Sequence, residues 1–296
     1  MSEIRKVGVV GCGLMGRGIA QVCAAAGYET VVREVADEPL EAGMGAIGKN
    51  LDRAVEKGKL EAADRDAILG RLTGTTDLAD LAASDIVIEA IVEDMGAKAD
   101  LYGELDGMCP EGTIFATNTS SLTVTEMAAG TGRPDRFVGL HFFNPVPVMK
   151  LVEVVRTGGT SEETFARAFE FARSLGKVPI ACRDNSGFVV NRLLVPYMLD
   201  AIRAYEEGIG SIEDIDTGMQ LGCGYPMGPF TLGDFVGLDT LYYICEIMFD
   251  EYREKRFAPP PLLKRMFLAG YHGRKTGRGF YDYSGETPVV SEFVRR

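Results

Sequence analysis

The chain has 296 residues and a formal net charge of −12, and its composition is that of an ordinary globular protein. Hydrophobic residues make up 46% of the sequence, and no stretch approaches the roughly 20 apolar residues that a membrane helix needs. The acidic balance makes nucleic acid and anionic membranes poor partners, and an anionic substrate would need a local source of positive charge.

Cysteine usage and the N-terminal sequence bear on the compartment. The six cysteines are scattered, with no C-x-x-C pair and no histidine at metal-ligand spacing, so we expect neither a zinc site nor a disulfide framework. Buried reduced thiols are the expected state. The first strand-like run begins at Lys6, and nothing before it has the regions of a secretory signal. The sequence therefore predicts a cytoplasmic protein without a metal.

Short apolar runs alternate with helical patterns through the first half of the chain. Strands are predicted at residues 6–10, 30–32, 86–88, 113–115, 137–140, 151–155 and 178–180, with helices at 15–26 and 162–175. Such alternation is typical of a parallel sheet with helices on both faces. We therefore predict a Rossmann-type α/β fold, a doubly wound and mostly parallel sheet.

Residues 37–71 interrupt that alternation. The segment is long, charged and helix-prone, and Gly58 and Gly70 are its expected turn or end points. It predicts a helical hairpin that stands away from the sheet.

The character of the sequence changes after residue 186. Residues 188–206 form a long apolar helical pattern, which Pro196 should kink. Further helices are predicted to start at Ser211 and to cover 238–249 and 262–268, and strand alternation returns only at 280–283. We therefore predict an α/β domain over residues 1–186 and an all-α domain over residues 187–296.

A glycine-rich turn follows the first predicted strand. Gly11-Cys12-Gly13-Leu14-Met15-Gly16 fits G-x-G-x-x-G, in which Gly11 permits a tight turn, Gly13 admits a pyrophosphate and Gly16 lets helix and strand pack closely. Glu34 ends the second predicted strand, where a carboxylate accepts hydrogen bonds from a ribose and repels a 2′-phosphate. A plain turn and a solvated glutamate are the alternative, but strand, turn, helix and acid are all in register. The pattern predicts NAD.

His141 is one of only two histidines, and it follows an apolar run whose end lies where doubly wound sheets bind ligands. Oxidation of an alcohol needs a base, and imidazole suits both directions of the reaction. Glu153 is a lone acid in an apolar strand, which is costly unless it is paired. A His–Glu pair would hold the imidazole in one tautomer. A hydrogen-bonded core histidine is the usual alternative, which these companions make less favourable.

Asn118, Thr119, Ser120 and Ser121 offer amide and hydroxyl groups after another predicted strand. An ordinary turn followed by a helix cap is the alternative for at least one of them.

Together these motifs resemble the 3-hydroxyacyl-CoA dehydrogenases, and among them most closely the bacterial 3-hydroxybutyryl-CoA dehydrogenases. The resemblance runs from about residue 5 to residue 284 and is most specific in residues 117–122 and 141–155. It implies hydride transfer between NAD and an (S)-3-hydroxyacyl-CoA, such as 3-hydroxybutyryl-CoA, in fatty acid or butanoate metabolism. By the same resemblance the catalytic set is His141 with its partner Glu153, together with Ser120 and Asn191.

The resemblance also implies ligand contacts. The cofactor residues would be Gly11, Gly13, Leu14, Met15, Gly16, Glu34, Glu93, Lys98, Ser120, Asn144 and Lys275. The family often has Asp where this chain has Glu34. The substrate residues would be Asn50, Lys57, Ser120 and Asn191, and the charge of Arg53 adds this residue to them. A homodimer would form through the helical domain, which would also contribute to the substrate cleft.

Basic residues cluster in the helical excursion, which supports binding of the coenzyme A phosphates. The cluster consists of Lys49, Arg53, Lys57 and Lys59. A solvated charged helix is the alternative, because Glu56 and Glu61 lie nearby, and without the resemblance it would be the simpler explanation.

Three other functions are considered. The β-hydroxyacid dehydrogenases have a similar nucleotide domain but use a lysine as the acid/base, which the His141–Glu153 pairing disfavours. A sugar-acid dehydrogenase related to this family is the closer alternative. A non-catalytic NAD-binding protein would be expected to lose part of the catalytic set, and here the set is whole.

Overall fold

The computed structural model describes residues 4–295. The chain divides into two compact units, the first ending at Phe188 and the second beginning at Val189. The division lies two residues beyond the boundary that the change in sequence character indicates.

An eight-stranded sheet forms the centre of the first unit. Its strands are β1 (Lys6–Val10), β2 (Glu29–Arg33), β3 (Leu72–Thr75), β4 (Ile86–Glu89), β5 (Ile114–Thr117), β6 (Phe137–Phe142), β7 (Leu151–Arg156) and β8 (Val178–Arg183). The order across the sheet is β3-β2-β1-β4-β5-β6-β7-β8. Neighbouring strands are parallel, except that β6 and β7 are antiparallel. The predicted Rossmann-type sheet is confirmed.

Helices cover both faces of this sheet, as predicted. They are α1 (Leu14–Ala25), α2 (Asp37–Glu56), α3 (Ala62–Gly70), α4 (Met95–Met108), α5 (Val124–Ala129) and α6 (Glu162–Ser174). Alternate strand residues point to opposite faces, so Val9 joins a core with α1 and α6 while Val10 joins a core with α4 and α5. The strand order reverses between β1 and β4, and ligands of such sheets bind beyond the carboxyl ends of the strands at this point.

Helices α2 and α3 form the predicted hairpin, with Gly58 (φ +63°) in the turn between them. The prediction that the hairpin stands away from the sheet is wrong. Ile47 and Leu51 of α2 and Ile68 of α3 are buried in the same core as β1 and α1. The apolar residues at helical spacing on α2 are buried against α1.

The second unit is helical, as predicted, and also contains a small two-stranded hairpin. Its elements are α7 (Val190–Glu206), α8 (Ile212–Cys223), α9 (Pro229–Val236), α10 (Leu238–Tyr252), α11 (Pro261–Leu268), β9 (Tyr281–Asp282) and β10 (Val289–Val290). Ser211 caps α8, its hydroxyl accepting from the N–H of Asp214 at 3.0 Å, so the predicted helix start is confirmed. Pro196 lies inside α7, and the kink stays a prediction.

Two buried carboxylates hold the second unit together. Asp216 accepts hydrogen bonds from the N–H of Phe230 at 2.8 Å and from the hydroxyl of Tyr281 at 3.0 Å. Asp234 accepts from the N–H groups of Phe280 and Tyr281, both at 2.9 Å, and from the hydroxyl of Tyr283 at 3.0 Å. Burial raises the pKa of the Asp234 carboxyl to about 6, although these donors oppose the shift. The two side chains thereby connect α8 and α9 to the C-terminal hairpin.

Candidate active site

The glycine-rich turn between β1 and α1 has the geometry that the motif predicts. Gly11 has φ +95°, and a Cβ atom there would lie 2.6 Å from the carbonyl oxygen of Ala90. A Cβ atom at Gly16 would lie 1.8 Å from the carbonyl oxygen of Gly11, so strand and helix approach as closely as glycine allows. At Gly13 a Cβ atom would meet no other group within 4 Å. The backbone at Gly13 and the N–H groups at the start of α1 are therefore open to a pyrophosphate.

Glu34 follows β2 and lies beside this turn. Its carboxylate accepts hydrogen bonds from the backbone N–H of Cys12 at 2.8 Å and from that of Val35 at 2.7 Å. Each carboxylate oxygen has a second lone pair, so the group can still accept from ribose hydroxyls. Glu34 thus also shapes the turn, which the sequence did not indicate. Burial, with Glu34 nearby, raises the pKa of the Cys12 thiol to about 11, so this thiol is neutral.

His141 and Glu153 lie directly opposite each other on the antiparallel strands β6 and β7. The Nδ1 atom of His141 is 2.7 Å from Oε2 of Glu153. Glu153 is fully buried and His141 is 6% exposed, so water cannot replace either partner. The rings of Phe143 and Phe188 pack against the imidazole, with centroids at 4.5 and 5.6 Å. With Nδ1 engaged, the other ring nitrogen, Nε2, remains to exchange a proton with a ligand.

Lys98 contacts two carboxylates in the first unit. Its ammonium lies 2.6 Å from Oε1 of Glu89 and 3.2 Å from Oε2 of Glu93, and its side chain is 1% exposed. Glu89 also accepts from the hydroxyl of Thr117 at 2.7 Å and the N–H of Ile91 at 2.8 Å. Sequence reasoning missed Glu89. Its only signal was an acid at the end of an apolar run, which is weaker than the signal of Glu153, an acid inside such a run.

Glu93 connects the loop after β4 to the loop after β5. It accepts from the hydroxyl of Thr119 at 2.5 Å, from the N–H of Ser120 at 3.1 Å and from the hydroxyl of Ser121 at 3.3 Å. Burial by itself would raise the pKa of the Glu93 carboxyl, but Lys98 and these donors together hold it below its ordinary value. Glu93 therefore carries a negative charge and fixes the backbone at Ser120.

Two side chains of the 118–121 segment accept hydrogen bonds from the backbone, and one of them, Thr119, fits the turn interpretation. The hydroxyl of Thr119 accepts from the N–H of Leu122 at 3.0 Å, and Oδ1 of Asn118 accepts from the N–H of Phe142 at 2.9 Å. Asn118 thereby connects the end of β5 to β6 beside His141, while Ser120 remains the candidate for ligand contact.

Asn144 is exposed in the loop between β6 and β7. Lys177 stabilises this loop, because its ammonium donates hydrogen bonds to the carbonyl oxygens of Val146 at 2.5 Å and Met149 at 2.8 Å. Val146 is buried against Gly18 of α1, where a Cβ atom would approach it to 2.8 Å. The sequence did not mark Lys177, because a lysine at the start of a strand ordinarily faces solvent.

The remaining predicted residues lie outside these clusters. Asn50, Arg53 and Lys57 are exposed on the second half of α2 or just after it, so the basic cluster faces solvent as either interpretation requires. Asn191 and Lys275 belong to the second unit, in which Lys275 forms an ion pair with Asp239 at 2.5 Å. Their ligand contacts stay predictions.

Within residues 4–295, no group of three His, Cys, Asp or Glu side chains is arranged to hold a metal ion. No helix in that range is long and apolar enough to cross a membrane. All six cysteines are free thiols, and only Cys223 is exposed.

The first unit combines a glycine-rich turn after β1, which is open to a pyrophosphate, with a buried histidine–carboxylate pair on β6 and β7 of the same sheet. Comparison with known proteins gives the family. The NAD-binding domain of 3-hydroxyacyl-CoA dehydrogenase matches residues 6–185, and the C-terminal domain of 3-hydroxyacyl-CoA dehydrogenase matches residues 187–283. The chain belongs to the 3-hydroxyacyl-CoA dehydrogenase family and is an NAD-binding enzyme.

Relatives match over nearly the whole chain. The 3-hydroxybutyryl-CoA dehydrogenase of Mycobacterium tuberculosis is 52% identical over 95% of this chain and 99% of its own length. The human mitochondrial hydroxyacyl-coenzyme A dehydrogenase is 47% identical over 95% of this chain and 91% of its own length. The crystal structure of (S)-3-hydroxybutyryl-CoA dehydrogenase from Ralstonia eutropha superposes with a TM-score of 0.92 at 46% identity, covering 96% of this chain and all of that one.

Proposed function

We propose that this protein interconverts an (S)-3-hydroxyacyl-CoA and the corresponding 3-ketoacyl-CoA, with 3-hydroxybutyryl-CoA and acetoacetyl-CoA as the preferred pair. The observation that carries the proposal is the buried contact of 2.7 Å between His141 Nδ1 and Glu153 Oε2. The names of the relatives supply the substrate class.

His141 is the proposed acid–base group. Bound NAD supplies the hydride acceptor for the alcohol carbon. In that direction Nε2 of His141 accepts the proton of the 3-hydroxyl, and in the reverse direction the imidazolium returns it to the ketone oxygen. Glu153 holds the proton on Nδ1, so that Nε2 presents its lone pair, and stabilises the imidazolium once it forms.

Other groups of the first unit are assigned around this pair. The open backbone at Gly13 fits a pyrophosphate, and Glu34 accepts from the adenosine ribose. Ser120, whose backbone Glu93 fixes, donates a hydrogen bond to the reacting oxygen. The exposed basic residues of α2 bind the phosphates of coenzyme A and provide the positive charge that an acidic protein otherwise lacks.

The proposal also covers the oligomeric state, the compartment and the metabolic pathway. The enzyme would act as a homodimer formed through the helical unit, in the cytoplasm, within fatty acid or butanoate metabolism. The six free thiols fit a reducing compartment.

Initial rates test the substrate. They are measured with NADH and a series of 3-ketoacyl-CoAs, starting from acetoacetyl-CoA, with a 3-keto acid that lacks coenzyme A as the control. We expect kcat/KM to be highest for the thioesters and to fall when coenzyme A is removed. Equal efficiency with the free 3-keto acid would contradict the assignment and would favour a related sugar-acid dehydrogenase.

A further inference from the structure

A charge cluster with two buried members and one partly exposed member lies at the carboxyl ends of β4 and β5. Its members are Glu89, Lys98 and Glu93, and we call it the Glu89–Lys98–Glu93 triad. Lys98 is the cation between the two carboxylates, at 2.6 Å from Glu89 and 3.2 Å from Glu93. The triad therefore carries a net charge of about −1, in which Glu89 balances Lys98 and the charge of Glu93 is left over.

Glu89 has an environment built for a carboxylate. Its side chain is fully buried, and its oxygens accept from the Lys98 ammonium, the Thr117 hydroxyl and the N–H of Ile91. A neutral side chain in its place would leave Lys98 with Glu93 as its partner in the triad. The charge of Glu93 would then be cancelled, although Glu93 itself would be unchanged.

The triad lies where the nicotinamide half of NAD is expected to bind. In a doubly wound sheet the pyrophosphate lies at the first turn and the adenosine ribose beside β2. The nicotinamide half then extends over the carboxyl ends of β4, β5 and β6, where the triad, Ser120 and His141 lie. The nicotinamide ring is positively charged when oxidised and neutral when reduced. A negative charge nearby favours the oxidised form.

We propose that Glu89 is a positioning residue that sets the net charge of the triad beside the nicotinamide, so that the protein binds NAD⁺ more tightly, relative to NADH, than it would without this carboxylate. The inference rests on the assigned orientation of NAD but not on the acyl-CoA substrate.

The ratio of the Kd for NAD⁺ to the Kd for NADH tests the proposal. Both constants are measured by calorimetric titration of the full chain, without any acyl-CoA and at one fixed ionic strength. Glu89→Gln preserves the size of the side chain and removes its charge, so we expect the ratio to rise about three- to tenfold. A purely structural defect would weaken the two ligands equally and would leave the ratio unchanged.

Two matched variants separate charge from packing. Glu89→Asp alters the packing and keeps the charge, so the ratio should stay close to that of the parent. Thr117→Val removes one hydrogen bond to Glu89 without changing any charge, and the ratio should stay unchanged. A ratio that rises as much in Glu89→Asp or Thr117→Val as in Glu89→Gln would overturn the proposal.

Glu93→Gln covers the case in which Glu89→Gln does not fold. It removes the same unit of charge from a side chain that is about one-third exposed, so it should raise the ratio in the same direction. An unchanged ratio of the Kd for NAD⁺ to the Kd for NADH in folded Glu89→Gln or Glu93→Gln would contradict the proposal. Failure of the substrate assignment would leave these titrations unaffected, because no acyl-CoA is present.

Discussion

Replacement of Glu153 by glutamine tests the pair that carries the proposed function. The substitution preserves the volume of a fully buried side chain and removes its charge, 2.7 Å from His141 Nδ1. Two effects follow. The imidazolium loses a charge-assisted hydrogen bond, which contributes about 1.5–3 kcal/mol in proteins. The carboxamide can also present its NH₂ group to Nδ1, which would place the ring proton on Nε2 and prevent His141 from acting as a base.

The two effects together predict a fall in kcat of about 10²–10⁴ for Glu153→Gln. We expect the KM for acetoacetyl-CoA to change little, because Glu153 is buried behind the imidazole. The assay is steady-state oxidation of NADH over a range of acetoacetyl-CoA concentrations up to saturation, with thermal unfolding to verify the fold. Cys182→Ala is the matched control, because Cys182 Sγ lies 3.8 Å from the other oxygen of Glu153 and its replacement leaves the carboxylate in place. It should remain close to the parent. A folded Glu153→Gln variant with parental kcat would show that the pair is only structural.

Four further predictions concern the other groups of the structure. His141→Gln should bind NADH normally, by fluorescence titration, while kcat falls about 10²–10⁴-fold, and near-normal turnover would refute its assignment. Gly13→Ala should fold but weaken NADH binding, because a methyl group there meets only the ligand. Gly16→Ala should fail to fold or should unfold at a lower temperature, because its Cβ overlaps the Gly11 carbonyl. Equal NADH binding and equal thermal stability of the two variants would contradict this prediction. The parent should have a higher kcat/KM with NADH than with NADPH, since a carboxylate facing a 2′-phosphate costs several kcal/mol. Glu34→Ala should reduce the ratio of the two kcat/KM values, and an unchanged ratio would exclude Glu34 as the cause of the preference. The pKa of about 6 for Asp234 in the folded chain exceeds its ordinary value, so the folded state binds the proton more tightly and stability falls as pH rises between about 4 and 6. The free energy of unfolding of the parent minus that of Asp234→Asn should therefore decrease over this range by about 3 kcal/mol at most. A difference independent of pH would refute the pKa shift.

Local sequence patterns predicted the elements whose causes are local. The turn at Gly11 follows from a backbone conformation that only glycine adopts readily, and the start of α8 follows from a serine that caps the helix. Strands β1, β4, β5, β6 and β7 were visible because most of their residues are buried and apolar. Strand β3 (Leu72–Thr75) was missed, because this edge strand is only half-buried or exposed and has no such run.

The pairing of His141 with Glu153 was also within reach of the sequence. An unpaired acid in an apolar strand demands a partner, and the chain offers few candidates. The sequence did not give the antiparallel pairing of β6 and β7, which places the two side chains directly across from each other.

Contacts between different elements depended on the tertiary structure. Examples are the Glu89–Lys98–Glu93 triad, the hydrogen bonds of Lys177 to the loop after β6 and the packing of α2 on α1. Sequence alone determined the class of fold, the phosphate-binding turn and the residues expected to act, because periodicity and backbone conformation are properties of short segments. The tertiary structure decided which charges neutralise one another, because a buried ion pair depends on the order in which strands assemble and on which water molecules that assembly excludes.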